Sequence, residues 1–319
     1  MTKNGIVCKT NNKTVLLDPK IPLEECVNFV SHAHSDHLPT QNGVPTLASI
    51  ETSRIAKLRG CKMDSIDSLE AFSLLDSGHI FGSRGLLFDD IFYTGDICTR
   101  SRGFLSGANI PKCKTLITEC TFGIPEFIFP KLDEIKKTVN QIISEHYSRG
   151  IPVILFGYQL GKAQTISQLF DHWEPLYYHD SVKEMNDLHR SLGVNLKECI
   201  GHTEAEEKGL LAKKPWVMVA PFMSEKSYFI KQMKSKYGAQ TIGFSGWAKS
   251  SRFSFGRRAD YSIPLSDHCD FDELVELVKK SGAEKVYTIH GFVEEFSAHL
   301  KSLGIDAQPL REESLDDFI

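Results

Sequence analysis

The chain has 319 residues, 41% of them hydrophobic and 24% charged, with a formal net charge of −4. These ordinary proportions suit a folded protein of two domains or one elaborate one, and exclude a disordered or fibrous chain. No apolar run approaches the ~18 residues that cross a bilayer, residues 1–12 lack the apolar core of a secretory signal, and the acidic balance leaves any attraction to nucleic acid to a local basic track. The eight cysteines are scattered with no C-x-x-C pair, as expected of reduced thiols in the cytoplasm.

In chain order, residues 14–122 read as short strands broken by turns, with β-like runs at 15–17, 27–30, 72–75, 85–88, 91–93 and 115–118. One helix is predicted over 50–58. From about residue 124 the pattern changes. Leu132, Ile135, Val139, Ile142 and Ile143 recur at helical spacing, and strands at 153–156, 176–178, 216–220 and 241–244 alternate with helical patterns. Such alternation predicts a parallel sheet with helices on its faces, inserted as a second domain. Near the end, Asp270 and Glu273 form a capping box for a helix closed by Gly282, and a strand at 286–289 delivers His290.

The strongest chemical signal is Ser31-His32-Ala33-His34-Ser35-Asp36-His37, directly after an apolar strand. Three imidazoles and a carboxylate at a strand mouth are donors that zinc prefers, with manganese as the alternative. Ser77-Gly78-His79 and Thr94-Gly95-Asp96 follow two further strands. The Asp96 carboxylate can offer one oxygen to both of two ions, and ions about 3.5–4 Å apart activate water and stabilise an in-line displacement.

His32, His34, Asp36, His37, His79 and Asp96 match the ligand motifs of the metallo-β-lactamase superfamily, and Leu17-Asp18-Pro19 resembles its first motif. The resemblance implies two bound divalent ions, with Asp18 orienting the ligand loop from behind. Three later stretches narrow it. Ile117-Thr118-Glu119-Cys120-Thr121-Phe122-Gly123, Ser266-Asp267-His268 and Ile289-His290-Gly291 resemble motifs A, B and C of the β-CASP nucleases. On that resemblance His290 completes the second metal site, and His268 protonates the leaving oxygen while Glu119 orients and charges it. Asp36 serves as both ligand and catalytic residue.

Gly157-Tyr158-Gln159-Leu160-Gly161-Lys162-Ala163-Gln164, Ser245-Gly246-Trp247 and Leu265-Ser266-Asp267-His268 are similar to the short exonucleases associated with bacterial DNA ligases, and to relatives grouped as RNA-processing factors. Lys162 stands where a strand opens into a helix, a geometry suited to holding phosphate. Trp247, Lys249, Arg252, Arg257 and Arg258, interleaved with Phe253 and Phe255, form a basic aromatic track for phosphates and unpaired bases. Arg100 and Arg102 can extend it. In the acidic tail 312–319, Leu315, Phe318 and Ile319 resemble the plug that docks on PCNA-type sliding clamps.

The expected fold is a four-layer αβ/βα metallo-β-lactamase sandwich formed by residues 1–123 and 245–319, with a Rossmann-like β-CASP domain inserted at 124–244. The expected function is an exonuclease acting on DNA ends in repair or replication, cytoplasmic and nucleoid-associated in a prokaryote. An RNA-processing nuclease is the alternative, followed by an inactive nucleic-acid-binding subunit and then a small-molecule hydrolase.

Overall fold

A computed structural model describes residues 5–10, 13–41, 43–224, 226–250 and 259–311. The chain divides into two compact units. The first draws its described residues from 1–101, 105–125 and 268–319, the second from 102–104 and 126–267. Among the described residues no helix is long and apolar enough to cross a membrane.

The first unit opens with strands β1 (Ile6–Lys9), β2 (Thr14–Leu17), β3 (Val27–Phe29) and β4 (Pro45–Leu47), then helix α1 (Ile50–Leu58). Strands β5 (Asp64–Ile66), β6 (Ser73–Asp76), β7 (Arg84–Phe88), β8 (Ile91–Tyr93) and β9 (Thr115–Cys120) follow. The second unit holds α2 (Leu132–Tyr147), β10 (Val153–Gly157), α3 (Lys162–Leu169), β11 (Leu176–Tyr178), α4 (Asp180–Ser191) and α5 (His202–Glu207). It continues with β12 (Val217–Pro221), α6 (Tyr228–Tyr237), β13 (Gln240–Phe244) and β14 (Tyr261–Ile263). The chain then returns to the first unit with α7 (Phe271–Ser281), β15 (Lys285–Gly291), α8 (Val293–Ser302) and β16 (Ala307–Pro309).

Two mixed sheets build the first unit, in the orders β1-β2-β3-β4-β5 and β16-β15-β9-β8-β7-β6. Side chains alternate across a strand, and the second sheet uses both faces. Tyr93, Ile117 and Tyr287 pack with Leu17, Phe29 and Leu47 of the first sheet. Their neighbours Phe92, Leu116 and Val286 face the other way, onto Leu274 and Leu277 of α7 and Phe296 and Leu300 of α8. Helix α7 starts where Asp270 caps it: its side chain accepts from Glu273 N–H at 3.0 Å while Glu273 accepts from Asp270 N–H at 2.8 Å.

The second unit is one sheet, β11-β12-β10-β13-β14, and every pairing in it is parallel. Its strands read as continuous apolar runs because both faces are covered. Val153 and Leu155 pack with residues of α2, α3 and α4, whereas Ile154 and Phe156 pack with Ala205 of α5 and Ile230 and Met233 of α6. The parallel sheet agrees with the expectation for this segment. Its end differs: the expected return at 245 falls instead after Asp267. The cause is β14, a three-residue strand that extends the parallel sheet beside β13.

Candidate metal centre

Sheet topology gathers the candidate donors. Strands β8, β9 and β15 are mutually parallel, and β6 runs the same way because it is antiparallel to β7, itself antiparallel to β8. All four therefore end at one edge, and each carries a donor there: His79 just past β6, Asp96 just past β8, Glu119 near the end of β9, and His290 as the penultimate residue of β15. The chain reverses sharply before two of these donors. Gly78 has φ +65° and a Cβ there would lie 2.3 Å from the Cys98 carbonyl oxygen; Gly95 has φ +55° and would meet Ser31 Cβ at 2.7 Å. Only glycine fits both conditions. His290 itself adopts φ +54°, where β15 breaks register between Ile289 and Gly291.

Four donors form the tightest group: His32, His34, His79 and Asp96 each place one ligand atom within 4.8 Å of all the others. His34 Nδ1 lies 3.0 Å from His32 Nε2 and 3.2 Å from His79 Nε2. Asp96 Oδ2 lies 3.4 Å from His32 Nε2 and 3.5 Å from His79 Nε2. Tetrahedral ligands on bonds of about 2.0–2.1 Å sit roughly 3.3–3.4 Å apart, so the set fits a zinc-sized cation. His32 is buried, and burial followed by the neighbouring imidazoles holds its imidazolium well below the ordinary histidine range, which leaves a neutral ring able to ligate.

Asp96 also reaches the other side. Its Oδ2 is 3.6 Å from His37 Nε2, which is 3.7 Å from Asp36 Oδ2, and the His290 ring lies 5.7 Å from that of His37. Asp36 and His290 are exposed, unlike the buried His37. Burial alone would lower the His37 imidazolium, but Asp96, Asp18 and Asp36 outweigh it and lift it to about 10. These carboxylates call for a cation, and a proton on His37 competes for the place.

Behind this group, Asp18 accepts four hydrogen bonds. They come from Ser31 N–H at 2.6 Å, Ser31 Oγ at 2.7 Å, His37 Nδ1 at 2.7 Å and Tyr93 OH at 2.7 Å. The carboxylate on Nδ1 of His37 turns its Nε2 toward Asp96 and Asp36. Lys20 holds the same loop from outside by donating to the carbonyls of Ser35, Asp36 and Leu38 at 3.2, 2.5 and 3.2 Å.

The Glu119–His268 pair sits beside Asp96, the three donor atoms lying within 4.8 Å of one another. His268 Nδ1 donates to Glu119 Oε1 at 2.7 Å. Full burial alone would raise the Glu119 carboxyl; the charge and hydrogen bond of His268, with donors from Thr121 and Ile97, bring it down to about 2. The pair therefore combines an anionic carboxylate with an imidazole held through its Nδ1.

Other expectations change. Lys162 is 3% exposed and does not offer its ammonium outward; it pairs with Asp267 at 2.8 Å and donates to the Leu265 carbonyl at 2.9 Å. Around the start of α3, Gln164 Oε1 takes the Gly161 N–H and the Tyr158 carbonyl takes the Ala163 N–H, so a phosphate clamp there is not supported. Arg102 is buried near Asp267 and Arg100 is ion-paired with Asp270 and Glu273, so neither extends a basic track. Trp247 is half-buried against Phe127, ring centroids 5.4 Å apart, and Lys249 is exposed. Arg252, Arg257, Arg258 and the clamp-like Leu315, Phe318 and Ile319 lie outside the described residues. Tyr93, Lys20 and Arg100 support the site without any motif that marks them in the sequence as doing so. For Tyr93 a signal existed: it ends the strand leading into Thr94-Gly95-Asp96.

Imidazoles and a carboxylate collected at the carboxyl ends of parallel strands, on a two-sheet core, make a group that could hold a metal ion. No family model matches the chain. A probable DNA ligase of Opitutus terrae is 28% identical over 314 residues, covering 93% of this chain and 30% of the ligase. Transcription termination factor FttA of Methanocaldococcus jannaschii is 26% identical over 283 residues, covering 69% of this chain and 44% of that protein. An RNase J-like protein of the same organism is 25% identical over 267 residues, covering 69% and 63%. The chain thus spans less than two thirds of each of these relatives. A protein of unknown function from Enterococcus faecalis V583 shares the fold, with a TM-score of 0.59 at 15% identity over 89% of this chain and 79% of that one. The FttA and RNase J-like relatives are β-CASP members of the metallo-β-lactamase family, and the chain is similar to each over 69% of its length.

Proposed function

We propose that the chain is a metal-dependent nuclease that hydrolyses phosphodiester bonds of DNA, as an exonuclease in end processing. The observation that carries this reading is the juxtaposition, around Asp96, of a four-donor metal group and the Glu119–His268 pair. Under the same reading the first unit is the four-layer αβ/βα sandwich and the second the inserted β-CASP domain. The ligands are His32, His34, His79 and Asp96 on one side and Asp36, His37, Asp96 and His290 on the other. Two divalent ions, zinc by the donor set, would supply Lewis acidity and a water of lowered pKa.

The chain's own residues do the rest. Asp18 and Ser31 hold the ligand loop in register. Glu119 fixes the His268 ring through Nδ1, so that Nε2 can hand its proton to the departing alkoxide. Lys249 and the cations of 252–258 would neutralise phosphates along the strand, and Trp247 would stack on a base.

DNA is favoured because the relative that matches nearly the whole chain is a probable DNA ligase, an activity that needs processed DNA ends. An RNA substrate is the second reading, supported by the RNase J-like relative. A cytoplasmic, nucleoid-associated setting and docking of residues 312–319 on a sliding clamp belong to the DNA reading. The test uses end-labelled DNA and RNA of identical sequence, with zinc or manganese supplied and bound metal measured. Stepwise shortening of the DNA is expected, with Asp36→Ala and His268→Ala both inactive. Undiminished turnover in either variant, or strands bound and never cut by the native chain, would sink the reading.

A further inference from the structure

Arg100 follows Asp96 closely in the chain, yet it neither extends a basic track nor joins the metal donors. Its guanidinium meets three oxygens. Nη2 donates to the His268 carbonyl at 2.8 Å, and Nη1 lies 2.6 Å from Glu273 Oε2 and 3.2 Å from Asp270 Oδ2. Those two carboxylates are the reciprocal cap that starts α7. The Arg100 side chain is 26% exposed, and those of Asp270 and Glu273 are 9% and 18% exposed. Charge pairs this far withdrawn from water are screened less than surface pairs.

We propose that Arg100 is a positioning residue for His268, tying the histidine's backbone to the rigid first turn of α7 so that the ring stays aimed. The inference rests on the nuclease reading and names a further residue for it. Three restraints converge on one histidine. Its carbonyl is held by Arg100, the N–H of the next residue, Cys269, donates to the Ile97 carbonyl at 2.8 Å, and its Nδ1 is held by Glu119. The first two fix the backbone, and only with the backbone fixed does the Glu119 hydrogen bond specify where Nε2 lies. A planar guanidinium can serve a carbonyl and two carboxylates at once; an ammonium, a compact point charge without that fork, serves them less well. Small displacements of a proton donor are costly because transfer needs heavy atoms about 2.6–3.2 Å apart.

The test compares Arg100→Gln, Arg100→Lys and His268→Ala in the full chain on two substrates. One is an oligonucleotide, whose alkoxide leaving group needs a proton. The other is bis(p-nitrophenyl) phosphate, whose phenolate leaves without one. Arg100→Gln is expected to lower kcat on the oligonucleotide about 10–100-fold, a fraction of what general acids contribute, while KM and bound metal stay near native and Tm falls because two part-buried carboxylates lose their cation. The loss on the nitrophenyl ester should be slight, Arg100→Lys should fall between, and Arg100→Gln on top of His268→Ala should add nothing. Equal losses on both substrates, or a parallel fall in metal content, would reduce Arg100 to a structural residue and overturn the proposal. A readout independent of turnover is the imidazole nitrogen NMR spectrum. The hydrogen-bonded Nδ1 signal of His268 should broaden or disappear in Arg100→Gln, and an unchanged signal overturns the proposal whatever the activity. A native chain that cuts neither substrate refutes the nuclease reading instead, leaving the NMR result to decide the role of Arg100.

Discussion

Asp96 faces imidazoles on two sides through one oxygen, at 3.4 to 3.6 Å, so its charge rather than its shape is what the cluster needs. Asp96→Asn keeps the outline and removes the charge. It is expected to lower metal content after dialysis, read by elemental analysis; native metal content in that variant would show that Asp96 is no ligand. Asp18→Ala removes the acceptor on His37 Nδ1 and should weaken metal binding by about 10–100-fold, measured against a competing chelator. Protons give a third test. The His37 imidazolium, lifted to about 10 by its carboxylates against the effect of burial, is protonated at neutral pH when no metal is bound. A ligating ring must lose that proton, so binding releases about one proton from this residue and tightens as pH rises. Calorimetry in buffers of different ionisation enthalpy measures the release; zinc uptake with no proton released contradicts the assignment. The candidate donors are legible in the sequence, because three histidines and an aspartate crowded into residues 31–37 make a metal-donor set and little else. Lys20 and Arg100 are not, since each acts on groups that only the tertiary fold brings near, and Tyr93 is marked only by its place at the end of the strand before Thr94-Gly95-Asp96. Lys162 misleads for a related reason: a lysine after a strand looks the same in sequence whether its ammonium meets solvent or a buried Asp267.

At the level of elements, legibility follows length and chemistry. The α7 cap can be read from Asp270 and Glu273 because a reciprocal pair of side chains leaves a spaced signature. The helix over 50–58 has the bounds its sequence predicts, its start set by Ser49 accepting from Thr52 N–H at 3.0 Å. Strands β4, β5 and β14 have three residues each with a polar residue or proline among them, too few to display a period, whereas the equally short β8 and β11 are apolar and aromatic throughout and so are marked by composition. The silence of β14 in the sequence displaces the expected end of the second unit. Helix α7 also supports the sheet that carries the site. Leu274 is fully buried with Leu116 and Phe296 beneath β9 and β15, so Leu274→Ala should destabilise the fold by about 2–5 kcal/mol through the cavity it leaves. Chemical denaturation measures this. A cost below about 1 kcal/mol would mean that the site's supporting sheet does not depend on this helix.

Across the whole molecule, alternation of strands and helices announces the parallel sheet of the second unit, while the composite nature of the first unit comes only from motifs at both ends of the chain. Any ion bound solely by the folded chain stabilises it by mass action, about 2.7 kcal/mol at a hundredfold excess over Kd. Saturating zinc should therefore raise Tm and a chelator lower it, in calorimetry of the full chain. A Tm indifferent to both would argue that the donors hold no cation.

The pairing of β9 with β15 joins Glu119 to partners some 170 residues later, and this has a consequence for synthesis. During translation the residues around the four-donor group leave the ribosome well before His268 and His290. A stalled or truncated product could capture a cation and still have no acid to release the cut strand. On the proposed reading, a half-made copy of this chain is harmless to the cell's own nucleic acid.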